Sequence, residues 1–511
     1  MNASLRQKLR KRNQKLRRRI DKREGLFQSP AIRPTATKFE LSEKTQAISC
    51  GGIGVIMQMV KQLDLRKLIN QAAPVFKLHL PYDEADHVLN IAMNSLAGGT
   101  CLEHIELRRT DEAYLNALGA ERIPDPTTAG DFCRRFDSFK IMELMQGINR
   151  ARLKVWKQQP DNFLDQATIE ADGTMVETYG EKKQGIGINH KGQWGYHPLV
   201  VTLAETQEIL YIANRSGNRP SHENSAMYFD SAIELCKKAG FRRIRLRGDT
   251  DFSSTAHLDR WDRAGVTFVL GYDANKTLVG IADSLAESAW RTLSRQKPQA
   301  EKQRAKPPNY KERIVVANGY ENQILQGESY AEFDYQPVAC GRTYRMVAVR
   351  KDIKVMRGQR HLFDRERYFF YITNESKDEV SSREVIRHGN QRCDQENTIS
   401  QGKACGALTA PLDTLESNWA YMVMASLAWT LKLWSGMLVR VQGNPGQRRV
   451  RAEIRRKVIR MEFSTYLNSL MLIPAQVIRS ARQLRLRLLA YRPSVDCLLT
   501  LSDHIAMPLR S

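Results

Sequence analysis

Ala167-Thr-Ile-Glu-Ala-Asp172 reads as a short strand that ends on a carboxylate. Downstream, Leu199-Val-Val-Thr-Leu203 and Ile209-Leu-Tyr-Ile-Ala213 read as two more strands joined by a short polar turn. His222 to Ala239 has the apolar period of an amphipathic helix, and Arg243-Ile-Arg-Leu-Arg247 is a fourth strand that stops at Gly248-Asp249. The order is strand, strand, strand, helix, strand, with acidic residues at two strand ends.

That order resembles a ribonuclease-H-like α/β core, in which carboxylates come from a central strand, a nearby strand and a following helix. Between Asp249 and the next acidic candidate, Glu396, lie 146 residues, far more than one connection needs. They include a charged, proline-bearing segment from Arg295 to Tyr310. Strand-like runs follow at Arg313-Ile-Val-Val-Ala317, Tyr344 to Val349 and Tyr368 to Thr373. A β-rich insertion in the core accounts for them.

The third carboxylate lies in His388-Gly-Asn-Gln-Arg-Cys-Asp-Gln-Glu-Asn-Thr-Ile-Ser-Gln-Gly-Lys403. Read as one helix at about 100° per residue, Arg392, Glu396 and Lys403 fall within roughly 40° of each other. An ordinary i,i+4 ion pair accounts for Arg392 and Glu396 but not for Lys403, about 10 Å further along. A face with a carboxylate between two cations suits a polyanion. Asp172, Asp249 and Glu396 together supply the hard oxygen donors that a two-metal phosphoryl-transfer site requires.

Charge points the same way. The chain carries 79 Lys and Arg against 56 Asp and Glu, a net +23. Met1 to Gly25 holds 11 basic and 2 acidic residues, and Arg440 to Arg460 holds 8 and 1, so 16 of the 23 charges sit in two segments. Such clustering indicates contact with a polyanion, nucleic acid first and an anionic membrane surface second. Runs free of charge are too short to span a bilayer, and no apolar segment follows the basic start, so a reducing cytoplasm near the nucleoid is expected. The eight cysteines form no CxxC pair and have no histidines at zinc spacing, and read as incidental thiols.

The basic arm is expected to be disordered, or helical only on a partner. Residues 46 to 159 read as helical. Within them, Pro124-Asp-Pro-Thr-Thr-Ala-Gly-Asp-Phe-Cys-Arg-Arg135 suggests a turn and a helix capped at Thr127 or Thr128. It would carry Arg134 and Arg135 into a DNA groove or serve as a packing helix. Trp290 is either a core residue on an amphipathic helix or a platform for an unpaired base. Trp419, Trp429 and Trp434 lie in an apolar helix and should pack.

Taken together, Glu170-Ala-Asp172-Gly-Thr174, Gly195-Tyr-His-Pro-Leu199, Arg215-Ser-Gly-Asn218, Arg247-Gly-Asp249-Thr-Asp-Phe252 and Arg392-Cys-Asp-Gln-Glu396 with Lys403 resemble the motifs of DDE transposases of bacterial insertion sequences. Within them the motifs resemble the insertion sequence 1380 family. The resemblance covers roughly residues 160 to 410. It implies a ribonuclease-H-like core with a β-strand insertion, and Mg²⁺ (two ions, Mn²⁺ as alternative) held by Asp172, Asp249 and Glu396. It further implies cleavage at element ends followed by strand transfer, with Arg392 and Lys403 on the DNA backbone. The partners implied are double-stranded DNA (terminal inverted repeats and target) and a second copy of the chain, with no membrane and no small-molecule cofactor.

Two departures stand out. The signature's tyrosine position is Gly389, with His388 one residue earlier, so the phosphate contact of that tyrosine is lost or moved to histidine, and the second motif offers Asp251 in reserve to Asp249, which directly follows the strand and the glycine. The expected organisation is a basic arm (1–45), a helical DNA-binding region (46–159), a catalytic core (160–270 and 366–436), an insertion (271–365) and a basic C-terminal region (437–511). The alternatives are a catalytically silent DNA-binding regulator and a nuclease that cuts without joining.

Overall fold

The computed structural model describes residues 3–21, 37–39, 45–77, 81–253, 255–294, 310–358, 360–391, 393–480 and 483–510. They divide into two compact units. One comprises 1–163, 173–219 and 397–511, and the other 164–172 and 220–396.

The first unit is mainly helical and is organised around Leu415–Met437, in which every residue from Ser417 onward is buried. Thr414 caps it reciprocally with Ser417, which satisfies donors that a buried helix end would otherwise leave orphaned. Glu84–Leu96, Ser138–Trp156, Pro126–Cys133 and Pro445–Arg460 pack around it, as does the strand Glu208–Ala213. That strand pairs antiparallel with Leu199–Leu203, as the sequence suggests. Trp419, Trp429 and Trp434 are buried, each donating its indole N–H: to Ile212 O, Gln207 O and Glu208 Oε1. Gln46–Ile48, Ala475–Ser480 and Gln483–Leu488 form a small sheet that ties chain segments over 400 residues apart.

The second unit is built on a sheet whose strands run in the order Arg291–Thr292, Glu321–Tyr335, Tyr344–Arg357, Arg360–Thr373, Thr267–Tyr272, Arg243–Gly248 and Gln166–Gly173. The last three are parallel to one another and the rest antiparallel. Thr255–Arg263 is the crossover helix between two parallel strands. The long strands expected as an insertion continue this same sheet, since Thr373 pairs with Val269, and the boundary expected at 365/366 falls inside a strand. Val269, Tyr330, Val347, Val349, Val385 and Ile386 form a shared core beneath Ser382–Asn390.

Four local expectations are corrected. The stretch 388–403 is divided: Ser382–Asn390 ends before Gln391, whereas Glu396 and Lys403 lie on one helix, Cys393–Ala404, as expected. Gly389 and Asn390 are weak helix formers at the end of the first helix. Tyr310–Ala317 is a helix instead of a strand, closed by Gly319 at φ +62°, a left-handed stop that outweighs the β-branched run. The N-cap ahead of Arg134 is Asp125, which accepts from Thr128 N–H, with Pro126 at the first helical position. The arm, expected to be disordered or helical only on a partner, is a helix over Ala3–Asp21.

Candidate active site

The site is set by strand register. Gln166–Gly173 and Arg243–Gly248 are adjacent and parallel, with Glu170 opposite Arg247. Asp172 lies two residues beyond that pair on its strand, and Asp249 two residues beyond it, just past the end of the neighbouring strand. Asp249 has left the hydrogen-bonded ladder but stays extended at φ −82°, ψ −167°. Both carboxylates are half-buried.

The chain after Asp249 turns sharply. Asp249 Oδ1 accepts from Asp251 N–H at 3.1 Å and caps a single 3-10 turn, Thr250–Phe252, which leaves Asp251 exposed. The tightness explains Gly248: a Cβ there would meet Phe252 Cβ at 2.8 Å. The strand therefore does not continue to Asp251, so the condition under which the two aspartates would share a face is not met.

Below the carboxylates, Arg247 and Glu170 form an ion pair at 2.5 Å with side chains 6% and 1% exposed. Burying both charges is costly unless their remaining hydrogen-bonding capacity is satisfied. Arg247 extends Nη1 to His388 O at 3.4 Å and to Gln391 Oε1 at 3.3 Å. It thereby joins both carboxylate-bearing strands to the break that precedes Cys393–Ala404. Glu396 lies in the first turn of that helix and is exposed; Lys403 lies two turns on and is also exposed. Arg392 lies outside the described residues.

His388 is half-buried, and its Nδ1 has no partner among the described residues. Burial first, then the cations Arg245, Arg387 and Arg247, push its pKa down to about 4. It is therefore a neutral imidazole at pH 7. Next to it, a Cβ on Gly389 would meet Tyr371 Cε1 at 2.3 Å, so the aromatic ring at this place comes from another strand, Arg360–Thr373. Tyr371 donates to Asn390 Oδ1 at 3.4 Å.

The other sequence candidates lie elsewhere. Trp290 follows a one-turn 3-10 helix and is half-exposed, so it is not the core tryptophan of an amphipathic helix. Arg350 lies over its ring at 4.5 Å and is held by both oxygens of Glu287 at 2.7 and 3.0 Å. Tyr368 lies 6.0 Å from Trp290, centroid to centroid. Arg134 pairs with Asp131 and Asp413, both at 2.8 Å, while Arg135 is exposed with its guanidinium 5.2 Å from the Phe76 ring centroid. Pro126–Cys133 buries Ala129, Gly130, Phe132 and Cys133, the behaviour of a packing helix.

A family model for the transposase DDE domain, group 1, matches residues 40–508. The chain belongs to the DDE transposase family. No curated protein matches this transposase. Among solved structures, one similar chain comes from a cryo-EM structure of a piggyBac transposase synaptic complex with hairpin DNA. It is 8% identical, with a TM-score of 0.33, covering 83% of this chain and 84% of that one.

Three residues with evident roles were not singled out from sequence: Glu170, Arg247 and Tyr371. The available signal was a charged residue two positions before each strand-end aspartate, Glu in one strand and Arg in the other. Among the described residues no three His, Cys, Asp or Glu side chains are grouped to hold a metal ion. The donor chemistry nevertheless suits a hard divalent cation, because Asp172 and Asp249 are two half-buried carboxylates at the ends of adjacent parallel strands. Again among the described residues, no helix is long and apolar enough to cross a membrane.

Proposed function

We propose that this transposase binds the terminal inverted repeats of its element, cleaves the DNA ends and joins them to target DNA, as in the insertion sequence 1380 family. The observation that supports the reading is the pairing of Glu170 with Arg247 on adjacent parallel strands, each two residues before an aspartate. Asp172, Asp249 and Glu396 would hold two Mg²⁺ ions, or Mn²⁺, which when bound supply charge stabilisation to the attacking and leaving oxygens. The core is then ribonuclease-H-like, with the long strands between 321 and 373 as its extension. Water, and later a freed 3′-hydroxyl, is the nucleophile. The expected setting is a homodimer on two DNA ends, cytoplasmic and nucleoid-associated.

Within this reading Arg247 acts through its neighbours: it fixes both aspartate strands and the lead-in to Glu396. Arg392 and Lys403 contact the DNA backbone, and His388, being neutral, can offer a phosphate a hydrogen bond but not a charge. Trp290, backed by Arg350, stacks on an unpaired base near the cut. Arg135 is a free backbone contact, whereas Arg134 must first release Asp413. The test is excision and insertion of a marked segment bounded by the repeats flanking the gene, with wild type, Asp172→Asn and Glu396→Gln. Movement by wild type alone supports the reading. Repeat binding without movement by any of the three indicates a DNA-binding regulator, and cutting without joining indicates a nuclease.

A further inference from the structure

The two basic segments, more than 400 residues apart in sequence, meet in the helical unit. The helix Ala3–Asp21 carries nine Lys and Arg against one Asp, and Pro445–Arg460 carries seven against one Glu. Between them lies an open cleft of about 630 Å³ whose lining includes Arg6, Arg10, Gln447, Arg451 and His504.

The N-terminal helix is fastened there at a few points. Leu9 is 7% exposed, and Arg12 lies over the Tyr491 ring at 5.0 Å. Arg6 donates to Asp496 Oδ1 at 2.8 Å, Thr500 Oγ1 at 3.0 Å and Asp503 Oδ2 at 3.3 Å, all on Ser494–Ile505. Arg6 thus engages both acidic groups lining the cleft. The remaining cations are left over: Lys8, Arg10, Lys11, Arg448, Arg449 and Arg456 are exposed, and none is in an ion pair among the described residues.

This arrangement is unfavourable by itself. Arg6 and Arg10, Lys8 and Arg12, and Lys11 and Lys15 are like charges at i,i+4, which destabilise a helix. Facing a second basic helix adds repulsion that only a polyanion along the cleft would relieve.

We propose that Ala3–Asp21 and Pro445–Arg460 form one composite surface that grips the phosphate backbone of a single stretch of duplex DNA, with Arg6 as the clasp that holds the first helix in place. The inference rests on the DNA reading above, but it adds that the two basic segments act at the same stretch of backbone and not separately. Charge complementarity commits the occupant to duplex DNA. An anionic bilayer is the competing occupant.

The test uses the full-length chain with a random-sequence duplex, scored by fluorescence anisotropy over a salt series and by hydroxyl-radical footprinting. The variants are Arg10→Ala/Lys11→Ala, Arg448→Ala/Arg449→Ala and the clasp variant Arg6→Ala. All the substituted groups except Arg6 are exposed, and thermal melts verify folding of every variant. Each double variant should reduce the salt slope by about two units, since each phosphate contact contributes about 0.9. Both should lose protection over the same few phosphates, and Arg6→Ala should lose the protection due to the N-terminal helix while keeping that due to Arg448 and Arg449. Loss at two separate stretches, or unchanged slopes with wild-type DNA binding intact, would overturn the composite surface alone. Absence of DNA binding by wild type would overturn the DNA reading as well, and binding only to phosphatidylserine vesicles would assign the surface to a membrane.

Discussion

Two buried arginine–glutamate pairs, one in each unit, use the same chemistry to different ends. In the helical unit Arg152 and Glu208 are 1% and 0% exposed. Glu208 accepts from Arg152 at 3.0 Å and from Trp434, Trp156 and Thr206, each at 2.8 Å. Arg152 also donates to Ile209 O at 2.6 Å and to Asn149. Every donor in this network belongs to the core around Leu415–Met437, so the network is closed. Arg247 and Glu170 are nearly as buried, but Arg247 spends its remaining reach on His388 O and Gln391 Oε1 at longer distances. The second pair is open at the end that leads to Glu396. A closed pair fixes a core, whereas an open one transmits the position of a strand edge to a helix.

Removing one partner of a buried pair separates the two cases most strongly. Arg152→Ala strands a carboxylate in the core and should cost about 3–5 kcal/mol, read as a shifted urea midpoint. Any molecules that remain folded should cleave DNA at the wild-type rate. The inverse is expected of Arg247→Lys, which keeps a charge opposite Glu170 but loses the planar fork. Its stability should fall by about 1 kcal/mol. DNA cleavage per folded molecule should fall roughly 100-fold, because a displacement of about 1 Å at the carboxylates suffices for that. Equal behaviour of the two variants would erase the distinction.

A smaller effect sharpens the geometry beside the open pair. Gly389→Ala places a methyl group into the Tyr371 ring and should cost about 1–3 kcal/mol, with part of the loss recovered in Gly389→Ala/Tyr371→Ala. Additive losses would mean that the two residues do not meet.

The smallest expected effect is electrostatic. His388 is depressed to about 4 from an unfolded value of about 6.5, so the unfolded chain binds its proton more readily. Its contribution to stability is intact above pH 6.5 and is lost as pH falls toward 4; His87, also held at about 4, adds to the same trend. In an NMR titration His388 should move upward when duplex DNA is added, because a neighbouring phosphate favours the imidazolium. A value near 6.5 without DNA would show that the site is wetter and less cationic than described.

Much of this was legible in the chain. The four strands and the helix around Asp172 and Asp249 were found because their apolar runs end in glycine or acidic residues, and the apolar helix around Trp429 could hardly be anything but core. What could not be read was pairing. The register of the two strands that lead to Asp172 and Asp249 sets Glu170 opposite Arg247, a contact between residues far apart in sequence. The break at Gln391 was hidden because periodicity continues across it, whereas the reason for glycine at 389 lies on another strand, in Tyr371. The N-terminal helix defied its composition because Arg6 finds partners in Ser494–Ile505 and Leu9 is buried.

The most direct test of the central claim is local main-chain cleavage by iron(II), substituted for magnesium and driven by ascorbate and peroxide, with the fragments mapped by mass spectrometry. Cuts beside Asp172, Asp249 and Glu396, all lost in Asp172→Asn, are the predicted result. Cuts elsewhere, or cuts at these places that persist in Asp172→Asn, would contradict a metal site built on the paired strand ends.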